Sequence, residues 1–149
     1  YNAAIAACLR SGISAVVMEI LSNVLKRGFE PDVTTYNSVI TACGKRQWWQ
    51  LAIRLFDKVQ ILGSTLDSIT HNAAISACER AQQWPLAVRL LRCMGGRANL
   101  ISCSATMRAC ERGRQWILTL GIFRNLSQRG LQLDVIAYNT AIGACEEGR

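Results

Sequence analysis

Cysteine is the residue type in this chain with the most reactive chemistry, and the sequence contains seven of them. No two stand in a C-x-x-C pair, and His71 is the only histidine, so the usual spacing of a zinc tetrad is missing. Five follow an alanine at one position of a recurring phrase: Cys8, Cys43, Cys78, Cys110 and Cys145. Cysteines that recur at one position of an apolar helix face are typically buried, reduced thiols. We therefore predict neither disulfide bonds nor a metal site.

A repeat of fixed period must position these cysteines. The phrase that precedes them starts at spacings of 35, 35, 33 and 34 residues, at Tyr1, Tyr36, His71, Ser104 and Tyr138. A period of this size indicates stacked repeats, because one unit is too small to bury its own apolar face. We expect three full units at 33–67, 68–100 and 101–134, with partial units at 1–32 and 135–149. The sequence therefore looks like an excerpt of a longer repeat protein.

Each unit predicts two helices, A and B. In the second unit, helix A spans about residues 34–44, and its apolar stripe at i, i+3, i+4 and i+7 is Tyr36, Val39, Ile40 and Cys43. Helix B spans about residues 49–62, ends before Gly63, and has the stripe Leu51, Ala52, Leu55, Phe56 and Val59. No segment predicts a strand, so the fold class is all-α.

The net charge of the chain indicates which kind of partner it could bind. Lysine and arginine number 17 against 10 acidic residues, which gives a net charge of +7 and a pI near 9.4. A basic surface of this kind is compatible with a polyanionic partner. No apolar run reaches the length of a membrane span, and no targeting segment is visible, so we predict no membrane partner.

Several phrases in this sequence resemble the pentatricopeptide repeat family. They are VTTYNSVITAC at 33–43, LAIRLF at 51–56, a glycine near the unit end, and Pro31-Asp32. The tetratricopeptide repeat also places two helices in about 34 residues, but its Trp–Leu-Gly–Tyr opening is missing here. The resemblance implies a right-handed superhelical solenoid of helix-turn-helix repeats, about four units plus a terminal single helix, with the A helices lining the concave face.

The resemblance further implies that the chain binds single-stranded RNA, one base per repeat, with the fifth and last residues of a unit choosing the base. The last residues are Asp32, Asp67, Leu100 and Asp134, and the fifth residues are Asn2, Asn37, Asn72, Ala105 and Asn139. Asn2–Asp32 and Asn37–Asp67 match a family pair that favours uracil, and an amide can both donate to and accept from a pyrimidine edge. Leu100 and Ala105 depart from this pattern; Asn99 replaces Leu100 only if the short turn shifts.

Two further sets come from the same resemblance. Second residues that would sandwich a base are Thr34, Ile69, Ser102 and Ile136; the two isoleucines suit this role, and Thr34 and Ser102 suit it less well. Basic residues that would contact phosphate are Arg10, Lys45, Arg80 and Arg112. Simpler interpretations stay open, because Asn and Asp are common helix caps and basic residues are favoured at helix ends. Trp49, Trp84 and Trp116, at the start of the B helices, are expected to pack rather than to stack on bases.

By this resemblance the chain is an RNA-binding module of mitochondrial or chloroplast RNA processing, editing, stability or translation. The alternative is a protein- or peptide-binding scaffold of tetratricopeptide type that uses the same groove. An enzyme is not expected, because the chain has neither the H-x-E and P-C-x-x-C signature of a deaminase nor a clustered acidic metal site, and we predict no cofactor.

Overall fold

The structure is a computed structural model that describes residues 32–45, 48–61, 63 and 66–148, together with residues 19 and 23. The described residues form seven α-helices: α1 (Val33–Lys45), α2 (Trp49–Ile61), α3 (Ser68–Arg80), α4 (Trp84–Met94), α5 (Leu100–Arg112), α6 (Trp116–Gln128) and α7 (Val135–Glu147). The described residues contain no strand, which confirms the all-α class. The partial first unit, with Asn2, Cys8 and Arg10, lies outside the described residues. The chain divides into two compact units, Tyr1–Ala77 and Cys78–Arg149.

Each A helix begins directly after a capping residue. Side-chain Oδ1 atoms of Asp32, Asp67 and Asp134 accept hydrogen bonds of 2.7–2.8 Å from the backbone amide three residues on. A cap of this kind satisfies one of the amides that the first turn leaves without a partner. The simple interpretation of these aspartates as caps is therefore confirmed, and it fixes where each A helix starts.

The helix starts also move one expected unit boundary by a residue. Asn99, not Leu100, precedes α5, and its Oδ1 accepts from the Ser102 amide at 3.0 Å while the Asn99 amide donates to Ser102 Oγ at 3.0 Å. This reciprocal capping box follows a 3₁₀ turn at Gly95–Arg97 that shortens the third unit. Asn99 thus occupies the place of Asp67.

The same register makes Ser104, rather than Ala105, the fifth residue of its A helix. Ser104 stands six residues before Cys110, as Asn37 stands six residues before Cys43. The second residue of α5 is therefore Ile101 instead of Ser102, and the Ser102 side chain is fully buried.

The turn from helix A to helix B is the same in three units. The amides of Trp48, Gln83 and Gln115 donate to the carbonyls of Cys43, Cys78 and Cys110 at 2.8–3.0 Å. A hydrogen bond from a backbone amide to the carbonyl five residues earlier turns the chain back over the C-terminal end of a helix. The recurring cysteine therefore marks the residue whose carbonyl closes helix A.

The predicted core of the first compact unit is confirmed. Tyr36, Val39, Ile40 and Cys43 of α1 are buried, and α1 packs against α2, whose stripe from Leu51 to Val59 is buried as well. The Phe56 ring meets the His71 ring edge to face, with centroids 4.9 Å apart. In the second compact unit, α5 packs against α4, α6 and α7. Each fully buried large apolar side chain stabilises such a core by about 1.5–3 kcal/mol.

Burial of the repeated cysteine is confirmed at Cys43, Cys78 and Cys110. Burial raises the pKa of Cys43 and Cys78 to about 12 and that of Cys110 to about 11, so these thiols stay protonated. The prediction was wrong for Cys145, which is exposed on α7. No helix in the described part of the chain is long and apolar enough to span a membrane.

Candidate nucleic-acid interface

The structure brings together the fifth and last residues of the second unit. Asn37 Nδ2 donates to Asp67 Oδ2 at 3.2 Å, across 30 residues of sequence. The other carboxylate oxygen of Asp67 accepts from the Thr70 amide at 2.7 Å and holds the carboxylate at the start of α3. The acceptor therefore orients the amide group of Asn37, with its nitrogen toward Asp67.

A polar atom without a partner recurs at the fifth position of the A helices. Asn37 Oδ1, Asn72 Oδ1 and Ser104 Oγ are all buried and have no hydrogen-bond partner among the described residues. Leaving a buried acceptor unsatisfied costs about 1–3 kcal/mol, and such groups in native proteins are often completed by a ligand or water. The described residues contain five such atoms, and three of them stand at the fifth position of consecutive A helices, which makes that position a candidate ligand contact.

Other paired positions are only partly described. Asp32 is exposed, and hydrogen bonds from the Thr35 hydroxyl and amide lower its pKa, whereas its predicted partner Asn2 lies outside the described residues. Asn139 is exposed on α7, five residues after the cap Asp134.

Large apolar side chains are exposed at the second position of the A helices. Exposure is 70% for Ile69, 62% for Ile101 and 48% for Ile136, and Thr34 is exposed at the same place in α1. An exposed isoleucine is unremarkable alone, but repeated at one phase it forms a series of apolar surfaces on which flat bases can lie. The sequence repeat as first divided missed Ile101, although the capping box Asn-x-x-Ser carried the signal.

The predicted phosphate contacts stand at the thirteenth residue of their A helices. Arg80 and Arg112 are exposed in the last turns of α3 and α5. Arg112 is partly engaged, since its guanidinium donates to the Glu79 carbonyl at 3.4 Å and lies 3.7 Å from Glu79 Oε1. Lys45 ends α1, and Arg10 is outside the described residues.

Sequence reasoning missed an ion pair beside this series. Arg108 Nε and Nη2 donate to the two oxygens of the buried Glu79 carboxylate at 2.9 and 3.0 Å. The Glu79 hydrogen bond raises the pKa of Arg108, and the charges of Asp134 and Glu111 add to the effect. Glu111 is the equivalent residue of the following unit, and it faces Gly143 instead of an arginine. Burial, and then the charge of Glu147, raise the pKa of Glu111. The pair therefore ties α5 to the end of α3, and only the fold brings these residues together.

Two of the tryptophans, Trp84 and Trp116, lie against a glycine one unit later, although Trp116 stays 36% exposed. A Cβ atom added at Gly113 would lie 2.3 Å from Trp84 Cδ1, and one at Gly148 would lie 3.1 Å from the Trp116 ring. Both glycines stand three residues after the repeated cysteine. The aromatic rings therefore set the spacing between neighbouring hairpins in the second compact unit.

Comparison with known proteins agrees with this architecture. A family profile described as "Pentatricopeptide repeat domain" matches residues 1–46, and one described as "PPR repeat" matches residues 34–64. None of the curated proteins compared with the chain matches it. The chain is similar to the crystal structure of the pentatricopeptide repeat protein PPR10 from maize, with 23% identity and a TM-score of 0.68 over 97% of this chain and 21% of that one.

Two structures of PPR10 in complex with an 18-nt psaJ RNA element are also similar, one of them a variant with three cysteine-to-serine substitutions. Each has 23% identity and a TM-score of 0.66 over 94% of this chain, which spans 21% of the length of PPR10. These similarities show that the chain shares the all-α repeat fold of PPR10. The family profiles match the residues that contain the Tyr-Asn phrase, so residues 1–64 carry the sequence pattern of the pentatricopeptide repeat family.

Proposed function

We propose that this chain binds single-stranded RNA along its A helices, selecting one base per repeat. The observation that carries the proposal is the unsatisfied buried oxygen at the fifth position of three consecutive A helices. In two of these helices an exposed isoleucine, Ile69 in α3 and Ile101 in α5, stands three residues earlier and supplies apolar surface for a base. PPR10, which shares the fold, was crystallised with an RNA element.

The second unit has the best-defined pair for reading a base. Asp67 is anchored on the Thr70 amide and holds one N–H of the Asn37 amide, which leaves the second N–H and the oxygen of that amide for a ligand. An amide held in place before binding loses less freedom on binding, which favours affinity. Uracil offers both a donor and acceptors to such a group, so we propose uracil at the second unit, and at the first through Asn2 and Asp32.

The helix register gives a proposal for the fourth unit. Ser104 with Asp134 takes the place that the sequence repeat assigned to Ala105 with Asp134. We propose that this unit reads a base rather than acting as a spacer. Ser104→Ala tests this, because it removes the unsatisfied hydroxyl: RNA affinity should fall while the protein becomes no less stable. Retained affinity would remove Ser104 from the reading set.

Binding of labelled oligo(U) and oligo(A) to this chain tests the main proposal. Oligo(U) should bind more tightly, and affinity should drop steeply between about 50 and 200 mM salt, with a logarithmic slope of about −0.7 per phosphate contact. A peptide-binding scaffold would show neither preference nor slope. Equal affinity for the two RNAs at both salt concentrations would refute base selection.

Substitutions at the Asn37–Asp67 pair sharpen the test. Asn37→Ala removes the amide and should abolish the uracil preference. Asp67→Asn keeps an oxygen that can cap α3 but replaces the Oδ2 acceptor, so it should change base preference with little change in helix content. Gln60→Ala, at an exposed position on α2, is the matched control and should leave both RNAs unaffected.

The similarity to pentatricopeptide repeats supports a proposal for the cellular role. We propose that the protein acts by binding rather than catalysis, without a cofactor, on mitochondrial or chloroplast RNA in processing, editing, stability or translation. Locating the full-length protein by fluorescent tagging tests this: confinement to the cytosol or nucleus would refute the organellar role.

A further inference from the structure

A cleft of about 480 Å³ opens between the B helices α4 and α6. Its lining combines polar and apolar side chains: Arg92, Arg129 and Asn125 are the polar ones, and Leu91, Ile122 and Ala98 are among the apolar ones. Cavities of this volume suit small organic ligands.

The electrostatics of the cleft select the ligand class. Two guanidinium groups contribute to its lining, and no carboxylate does. Arg129 Nη2 donates to the Gly96 carbonyl at 2.9 Å, which orients this guanidinium and leaves its other N–H groups for a ligand. The Arg92 side chain makes no ion pair or hydrogen bond with the described residues. Guanidinium groups in this arrangement are suited to the oxygens of a phosphate.

A glycine in the wall is the second, independent observation. Gly121 lies inside α6, where glycine costs roughly 1 kcal/mol relative to alanine. A Cβ atom there would meet nothing within 4 Å, so no close packing requires the glycine. Its effect is to keep the wall of the cleft free of a side chain.

The cleft is separate from the RNA-binding positions. Cys103 contributes to its lining, whereas Ile101 is exposed at the second position of the same helix. Residues two apart on an α-helix point about 200° apart, so the cleft lies on the opposite side of α5 from Ile101.

We propose that the α4–α6 cleft binds a small molecule bearing a phosphate group, with Arg92 and Arg129 holding the phosphate and the apolar walls covering the remainder. The phosphate can belong to inorganic phosphate or to a nucleoside monophosphate. The apolar residues in the lining favour the second, because inorganic phosphate leaves them uncovered.

Calorimetric titration of the chain with inorganic phosphate and with uridine monophosphate, at constant ionic strength, tests the proposal. We expect saturable one-site binding, tighter for the nucleotide. Arg92→Gln should weaken binding of either ligand by about tenfold or more. Arg124→Gln removes the same charge from α6 at an exposed position outside the cleft and should change affinity less than about twofold.

A second variant separates shape from charge. Gly121→Leu should fill the cleft and weaken nucleotide binding by about tenfold, with both arginines retained. Oligo(U) affinity should stay unchanged in Arg92→Gln and Gly121→Leu, which separates this site from the RNA site. The proposal is overturned if neither ligand saturates, if Arg124→Gln weakens binding as much as Arg92→Gln does, or if Gly121→Leu binds the nucleotide like the wild type.

Discussion

The contact between Trp84 and Gly113 provides a test of how neighbouring hairpins are spaced. An alanine at residue 113 would put its Cβ 2.3 Å from Cδ1, 2.8 Å from Cγ and 2.9 Å from Nε1 of the Trp84 ring. Carbon atoms in good contact are about 3.5–4.0 Å apart, so the ring would have to move by roughly 1 Å or more. Inserting one methyl group into a packed contact typically costs about 1–3 kcal/mol.

An opposing effect has to be subtracted. Gly113 has φ −83° and ψ 6°, which alanine adopts without strain, so Gly113→Ala would stabilise the fold by about 0.4–1 kcal/mol through the unfolded state. The steric cost is larger, and we expect a net loss of about 1–2 kcal/mol. For a chain of this size the melting temperature should fall by about 2–8 °C.

Thermal and urea unfolding followed by circular dichroism measure this loss. Gly121→Ala is the matched control, because the same substitution in the open wall of α6 should raise stability by up to about 1 kcal/mol. In a Trp84→Ala background, Gly113→Ala should become neutral or stabilising, since the clash is removed. A Gly113→Ala protein as stable as the wild type, with Trp84 in place, would contradict the packing argument.

Three further predictions concern caps, carboxylates and thiols. Asn99→Ala should destabilise the protein by about 1 kcal/mol in urea unfolding, because α5 loses its cap, whereas Asn99→Asp should not. Burial, then the Glu147 charge, raises the pKa of Glu111 in the fold, so its ionisation lowers stability as pH rises through that pKa; Glu111→Gln should raise the urea midpoint near pH 7 and not near pH 3. Alkylation followed by mass spectrometry should label the exposed Cys93 and Cys145 well before Cys43, whose pKa burial raises to about 12, and equal rates would contradict the described burial.

Much of the candidate site could be located from sequence because its signals are local. The Asn37–Asp67 pair came from resemblance and position, and the structure adds the hydrogen bond between them. The sequence repeat places the start of the fourth unit one residue too late, because the third unit is shorter than the others. The local signal for the correct boundary is the capping pattern of Asn99 three residues before Ser102. Whether Asn99 or Leu100 precedes the helix still depends on where the 3₁₀ turn ends.

The sequence by itself determined the period, the all-α class and the apolar stripes of α1 and α2, because a helix shows which residues share a face at separations of three and four. Only the tertiary structure decided what covers each face. It placed Glu79 against Arg108 and Trp84 against Gly113, and it left Cys145 exposed. Such partners lie about 30 residues apart, and their distance depends on how closely two hairpins stack, which no periodicity within one helix encodes.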